Sequence, residues 1–316
     1  MLKNQRFRIA AIVCSYNNQD GLEKLVTALL SQTYALAEII IVDNSCSEKI
    51  QQNIKTKFPD VTFLCNQTNL GVGGAYERGM RFAYEKQYHW VWLFDDDSVP
   101  SQTGLEELIN AFQSVGEIER VGIMASLPVD VSTGMKYAGD YWRGRFVRSP
   151  KELAESTKPF FVDSVISSGS LVNMKIVEEV GFPRADFFID YVDHEYNLRI
   201  RRKNYVIIRV PSSVLYHKLG KGVRLGDGLL DKAIKRLLKK DFIIVHPPWR
   251  LYYKIRNELY MYLYEVRSWK GLLSVMKAVL YNLFVPFSEE GERIKYMFLG
   301  LKDGVGGKLG KLVEPR

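Results

Sequence analysis

Within the first hundred residues, short apolar runs alternate with helix-patterned segments, and this alternation most constrains the fold. Residues 8–14, Glu38 to Val42, Val61 to Cys65 and His89 to Phe94 each read as a buried strand. Between them, residues 20–31 place Leu22, Leu25, Val26, Leu29 and Leu30 at helical spacing. A second helix is expected at 47–57, and a third from the Gly71 turn to about Tyr88. Strand and helix in regular succession predict an α/β unit: a mostly parallel sheet flanked by helices, with right-handed crossovers. Ligands of such sheets gather beyond the carboxyl ends of the strands.

The fourth of these strands runs directly into Asp95, Asp96 and Asp97. On an extended segment alternate side chains point the same way, so two of the three carboxylates can reach one divalent cation. Three adjacent negative charges are costly unless a cation neutralises them. A solvated acidic turn is the plain alternative, but such a turn does not need Trp90, Trp92 and Phe94 leading into it. Asp43 ends the second strand, where a carboxylate can accept hydrogen bonds from a nucleobase or ribose, or simply cap the next helix. The segment Gly71-Val72-Gly73-Gly74 invites a dinucleotide-binding reading. That motif belongs after the first strand, whereas these glycines follow the third, so a tight turn bringing backbone near a ligand is expected instead.

Farther along, Val121 to Ser126 reads as a strand and 130–160 as irregular structure. A small-residue patch follows at Ser167-Ser168-Gly169-Ser170, then a helix from about Ile176 to Gly181, one near 193–203, and a strand from Val206 to Val210. Asp190, Asp193, His194 and Glu195 form a dense polar cluster. Asp193 could cap the following helix, or serve as a general base beside a bound cation and a substrate hydroxyl. His217 alone says little. Two aspartates and one imidazole, with open positions for phosphate oxygens, suit Mn²⁺ or Mg²⁺ better than zinc.

Bulk properties narrow the setting. Of the 316 residues, 47% are hydrophobic and 25% charged, as in a soluble globular protein. Cys14, Cys46 and Cys65 form no CxxC pair, which argues for reduced thiols in the cytoplasm. Residues 1–6 lack the apolar core of a secretory signal, and the longest apolar stretch, Ala278 to Phe287, is too short to span a bilayer. The charge is unevenly placed: residues 1–216 hold 24 Lys+Arg against 26 Asp+Glu, residues 217–316 hold 20 against 10. A basic, aromatic-rich, mostly helical tail suits an anionic membrane surface. It also allows plain packing on the first domain or a homo-oligomer contact. A nucleic-acid partner would leave the acidic cluster unexplained and is not expected. The expected division is a catalytic domain at 1–225 and a helical region at 226–316.

Taken together, Cys14-Ser15-Tyr16-Asn17, Val42-Asp43-Asn44, Asn69-Leu70-Gly71-Val72-Gly73-Gly74, Asp95-Asp96-Asp97, Asp193-His194-Glu195-Tyr196-Asn197-Leu198-Arg199 and His217 resemble the family 2 inverting glycosyltransferases of the GT-A fold. The resemblance covers about residues 8–220. It implies a metal-dependent enzyme that moves a sugar from a nucleotide diphosphate donor to a glycan or lipid-linked oligosaccharide acceptor, on the inner face of a cell membrane. It also implies metal ligation by Asp95, Asp97 and His217, and donor contacts at Ser15, Tyr16, Asp43, Asn69, Gly71, Asp95 and Asp96. Asp193 would be the base, with Glu195 placing the acceptor. The family's base segment often reads Asp-Asp-x-Asp; Val192-Asp193-His194-Glu195 departs from it, which leaves the choice between Asp193 and Glu195 open. The triple aspartate resembles galactofuranosyltransferases of bacterial surface polysaccharides, which use UDP-galactofuranose. Related rhamnosyltransferases, which use dTDP-rhamnose, often have Asp-Gln-Asp there. Tyr252-Tyr253-Lys254-Ile255-Arg256-Asn257 and Gly300-Leu301-Lys302-Asp303-Gly304 resemble motifs of both groups. A non-catalytic nucleotide- or glycan-binding module is the rival reading, and it would not need the base.

Overall fold

The computed structural model describes residues 7–45, 47–115, 118–217, 247–284 and 290–315, with 222–224, 242–244, 228 and 232. The first six residues, Cys46, the end of the Ala278 to Phe287 stretch and the 225/226 boundary lie outside the described residues.

The predicted alternation is realised. Strand β1 (Ile9–Ser15) leads through α1 (Gln19–Leu30) to β2 (Glu38–Asp43), then through α2 (Glu48–Lys57) to β3 (Thr62–Cys65), and through α3 (Gly71–Glu85) to β4 (Trp90–Asp95). These four strands lie in the order β3-β2-β1-β4 and are mutually parallel. The chain therefore builds outward from β1 in one direction and returns to its other side. That reversal opens a crevice at the carboxyl ends of β1 and β4, the usual ligand site of an open α/β sheet. β1 is buried on both faces: Ile9, Ala11 and Val13 join one core, and Ala10, Ile12 and Cys14 the other. This is why the strand reads as continuously apolar rather than alternating.

The second half of the sheet is mixed. After the short β5 (Ser98–Pro100) come α4 (Gly104–Ser114), β6 (Val121–Asp130), the hairpin β7 (Asp140–Trp142) and β8 (Phe146–Arg148), β9 (Phe160–Val162) and β10 (Ser170–Asn173). Short α5 (Val177–Val180) and α6 (Val192–Arg202) then precede β11 (Val206–His217). β10 inserts antiparallel between β4 and β6, and β11 runs parallel to β6. β11 extends seven residues past the expected end at Val210. A register shift between Val210 and Val214 bends it, and its far end pairs antiparallel with β5. The small-residue patch is used here: Gly169 has φ +80°, and a Cβ there would lie 2.9 Å from Leu215.

Beyond the short ladder of β12 (Gly222–Arg224) with β13 (Phe242–Ile244), the tail forms α7 (Pro248–Tyr260), α8 (Trp269–Phe284) and α9 (Glu290–Val305). The tail is thus not wholly helical. Much of its aromatic content is core rather than surface: Tyr252 and Tyr253 are fully buried and cluster with Phe188, Tyr296 and Val313. α7 continues into a π-helical turn, Met261–Glu265.

Candidate active site

Three strands deliver their last residues to one edge. In register, Ser15 lies beside Asp43, and Cys14 beside Asp95. Asp43 is buried. Its Oδ1 accepts hydrogen bonds from the Ser45 backbone N–H (3.0 Å) and hydroxyl (2.6 Å), while its Oδ2 has no partner among the described residues. A buried carboxylate oxygen without a donor is costly, and a ligand N–H or O–H would satisfy it. The Ser15 hydroxyl is likewise buried and unpartnered among the described residues. Tyr16 is exposed at the rim.

The three aspartates divide their work. Asp95 ends β4, Asp97 follows one turn residue later, and β5 then pairs with the end of β11, setting His217 opposite Ser98. Ligand atoms of Asp95, Asp97 and His217 all lie within 4.8 Å of one another. His217 Nδ1 is 3.3 Å from Asp97 Oδ1. Two carboxylates and one imidazole form a donor set that fits a hard divalent cation such as Mn²⁺ or Mg²⁺. Burial raises the pKa of Asp95, against the pull of His217. Burial lowers that of His217, but Asp97 and Asp95 outweigh it, and the net shift is upward. Asp96 points the other way. It accepts from the Tyr16 backbone N–H (2.8 Å) and the Asn18 amide (3.0 Å), and burial pushes its pKa up to about 6. Its side chain therefore fastens the β1–α1 turn.

The glycine turn makes a different close approach from the one expected. Gly71 has φ +69°, and a Cβ there would lie 2.2 Å from the Phe188 carbonyl oxygen. Gly73 donates to that same oxygen (3.1 Å), and a Cβ on it would meet Arg184 O at 2.4 Å. The glycines are needed to seat the start of α3 against loop 184–188, so the crowding is with protein backbone. Asn69 closes this turn by accepting from Gly71 N–H (2.8 Å).

Asp193 sits in the first turn of α6, half-buried, and accepts from the His194 backbone N–H (2.8 Å). Burial raises its pKa, the His194 imidazole opposes this, and Asp190 and Asp140 add to it. A carboxylate with raised affinity for a proton suits a general base. Glu195 does not share this setting. It is 2% exposed and forms a two-pronged ion pair with Arg199 (2.5 and 2.9 Å), which also donates to Val180 and Phe182 carbonyls. Residues two apart on a helix face different ways. The expectation that Glu195 places the acceptor does not match this inward ion pair.

Several residues at the site carried no signal of their own in the sequence. Tyr76, buried on α3, donates to Asp95 Oδ1 (2.8 Å), and the charges of both Asp95 and Asp193 raise its pKa along with burial. Tyr76 thus holds Asp95 and feels the charge of Asp193 as well. The loop before α6 is strained, with Phe188, Asp190 and Tyr191 at φ 62°, 61° and 63°. α7 clamps it: the Asn257 amide donates to the carbonyls of Phe187 (2.8 Å), Ile189 (2.9 Å) and Asp190 (2.9 Å). Arg250, in the first turn of α7, grips Asp190 through Nε and Nη2, both at 3.0 Å. Pro247 and Pro248 announce the start of α7, but nothing in the sequence says which loop it meets.

Known proteins resemble this chain in sequence and in fold. A dTDP-rhamnosyl transferase, RfbF of Shigella flexneri, is 26% identical over 312 residues, covering 96% of this chain and 97% of that one. The galactofuranosyltransferase GlfT1 of Mycolicibacterium smegmatis is 22% identical over 201 residues, 61% of this chain and 65% of its own. A crystal structure of GalNAc-T7 with UDP, GalNAc and Mn²⁺ superposes with TM-score 0.61 at 16% identity, over 96% of this chain and 57% of the other; it supports a GT-A-like fold. The model of glycosyl transferase family 2 matches residues 10–181, from β1 through α5. That match spans more than half of the sequence, and the chain belongs to glycosyl transferase family 2.

Proposed function

We propose that the protein transfers rhamnose from dTDP-rhamnose, with inversion, to a hydroxyl of a lipid-linked glycan. The likeness to a dTDP-rhamnosyl transferase along essentially the whole of both chains carries this reading. It reverses the order of donors expected from the triple aspartate, and there is a physical reason to discount that motif. Asp96 is occupied with Tyr16 and Asn18, so the residue that distinguishes Asp-Asp-Asp from Asp-Gln-Asp is engaged by the β1–α1 turn. UDP-galactofuranose is the second reading, favoured by the partial likeness to the mycobacterial galactofuranosyltransferases.

In this reading Asp43 accepts a hydrogen bond from the base or ribose through its unpartnered Oδ2. Asp95, Asp97 and His217 would hold Mn²⁺ or Mg²⁺, which would offset charge on the diphosphate. Asp193 takes the acceptor's proton as the acceptor oxygen attacks the anomeric carbon opposite the diphosphate. Tyr76 keeps Asp95 in place. Calorimetry with dTDP and UDP, each with and without Mn²⁺, tests the donor class, and turnover of dTDP-rhamnose tests the sugar. Metal-dependent preference for dTDP is expected. Preference for UDP would move the reading to the second donor, and binding of neither would refute both.

The acceptor's lipid anchor gives a use to α8. Trp269, Leu273, Met276 and Leu280 are exposed at spacings of four, three and four, which sets them on one stripe, with exposed Lys270 and Lys277 beside it. An apolar stripe edged by lysines fits an anionic bilayer surface. No helix among the described residues is long and apolar enough to cross a membrane. Flotation with anionic vesicles, lost in Trp269→Ala/Leu273→Asp, is the expected result. Concentration-dependent dimerisation without flotation would assign the stripe to a second copy of the chain.

A further inference from the structure

We propose that Arg250, which lies beyond the part of the chain matched by the family model, is a catalytic residue that holds the β-phosphate of the nucleoside diphosphate leaving group. The inference rests on the nucleotide-sugar reading above and adds a residue to it.

Three observations carry it. First, the guanidinium is held by one edge only. Nε and Nη2 pair with the two Asp190 oxygens at 3.0 Å each, and Nη1 makes no hydrogen bond among the described residues. An Arg offers five N–H donors in a rigid fork, so the edge left over is shaped for a second anion. Second, the partner is itself fixed. The Asp190 carbonyl accepts from Asn257 on the same helix, so both ends of the Arg250–Asp190 pair are anchored to α7. A cation held this way is preorganised, needing no rearrangement when charge appears. Third, Arg250 interacts electrostatically with the two aspartates of the candidate metal site. Its charge favours the ionised form of Asp95, and the charges of Asp95 and Asp97 add to that of Asp190 in raising its own pKa. Only 37% of the side chain is exposed, so the interaction is not fully screened by water. The structural alternative is that Arg250 only pins Asp190 to α7. Asn257 already holds that residue's backbone, and pinning leaves the free edge and the electrostatic pull of Asp95 and Asp97 without a use.

In the reaction, the bond from the anomeric carbon to the diphosphate oxygen breaks and its electron pair stays on that oxygen. The acceptor oxygen forms the new bond to carbon, and its proton passes to Asp193. Arg250 gains and loses no proton; it offsets the charge that grows on the β-phosphate.

The experiment compares Arg250→Gln, Arg250→Lys and Arg250→Ala with the wild type. For each, kcat and KM are measured, together with calorimetric affinities for dTDP, UDP and their monophosphates with Mn²⁺. In Arg250→Gln we expect kcat to fall about 100-fold. Affinity for the preferred diphosphate should fall about tenfold and that for the monophosphate far less, since only the diphosphate presents a β-phosphate. Arg250→Lys should recover part of the rate, and guanidinium ion should partly rescue Arg250→Ala. A purely structural pin would lower the melting temperature and weaken both nucleotides alike, and that outcome overturns the proposal. So does an Arg250→Gln enzyme within about threefold of the wild-type kcat. Should Arg250→Gln not fold, failure of Arg250→Lys and of guanidinium rescue in Arg250→Ala to restore turnover refutes it instead. A wild type that binds no nucleotide defeats the donor reading itself; a wild type that turns over and an Arg250→Gln that does the same defeat only this inference.

Discussion

Replacing Asn257 by alanine should damage both stability and turnover while leaving the nucleotide pocket nearly intact. The amide is fully buried. Its Nδ2 serves the carbonyls of Phe187, Ile189 and Asp190, and Arg256 Nε fixes its orientation by donating to Oδ1 (2.8 Å). Removing it takes this donor from the Ile189 and Asp190 carbonyls, at about 1–3 kcal/mol each when left dry, whereas the Phe187 carbonyl keeps the Ile189 N–H (2.8 Å) and Arg256 Nη2 (3.1 Å). Water entering the gap recovers part of this, so a loss of roughly 2–4 kcal/mol is expected. The loop has its own reason to move once released. Three of its non-glycine residues occupy the left-handed region, at about 1 kcal/mol or more apiece. Relaxation of that strain would shift Asp193, which follows two residues after Tyr191. A displacement of about 1 Å at a reacting group can cost about 100-fold in rate. The assay is thermal unfolding alongside kcat at saturating donor and calorimetric nucleotide binding with Mn²⁺. Asn257→Asp is the informative companion, because a carboxylate of the same shape cannot donate to the three carbonyls. An Asn257→Asp protein with wild-type melting temperature and kcat would refute the clamp.

Other expectations follow from the same geometry. Asp97→Asn and His217→Ala should each weaken Mn²⁺-dependent diphosphate binding by about tenfold or more while sparing metal-free binding, read by calorimetry. Burial raises the pKa of Asp193, so the ionised base is disfavoured in the folded state, and the acid limb of the pH–rate profile should lie above the ordinary aspartate value. By the same sign, its stabilising effect is present below the unfolded pKa and lost as pH rises through the raised one. Asp193→Asn should therefore melt higher than wild type at neutral pH while losing turnover. Gly71→Ala combines a left-handed backbone, about 1–2 kcal/mol for alanine, with a Cβ 2.2 Å from Phe188 O; urea unfolding should show a loss larger than the backbone term alone.

The first half of the fold was legible because its signals are local. β1, β2 and β4 are apolar on both faces and are separated by amphipathic helices, so period and length identify them without tertiary information. Asp43 and Asp95 could be placed for the same reason, since each ends a strand. Legibility fell where the sheet becomes mixed. β11 was expected to stop at Val210, because the polar residues Ser212 and Ser213 interrupt its pattern, yet the strand continues through a bulge and delivers His217 to the aspartates. Ser213 is buried there because its hydroxyl donates to Gly104 O (2.8 Å). Asp193 and Glu195 looked equivalent in sequence. What separates them is Arg199, one helical turn beyond Glu195, which draws that carboxylate inward. The glycine turn was recognised as a close approach, but composition does not say to what; the answer is a loop more than a hundred residues later.

The reach of β11 and α7 into the site bears on how the enzyme comes into being. Synthesis proceeds from the amino terminus, and early segments can begin to fold while later ones are still being made. The crevice residues Ser15, Asp43 and Asp95 leave the ribosome together with their own strands. His217 follows only at the end of β11, and Arg250 and Asn257 later still. On the roles proposed above, a nascent chain would thus gather the strand ends of the candidate donor site before it gained His217 and Arg250, and the site would be complete only once α7 had been made.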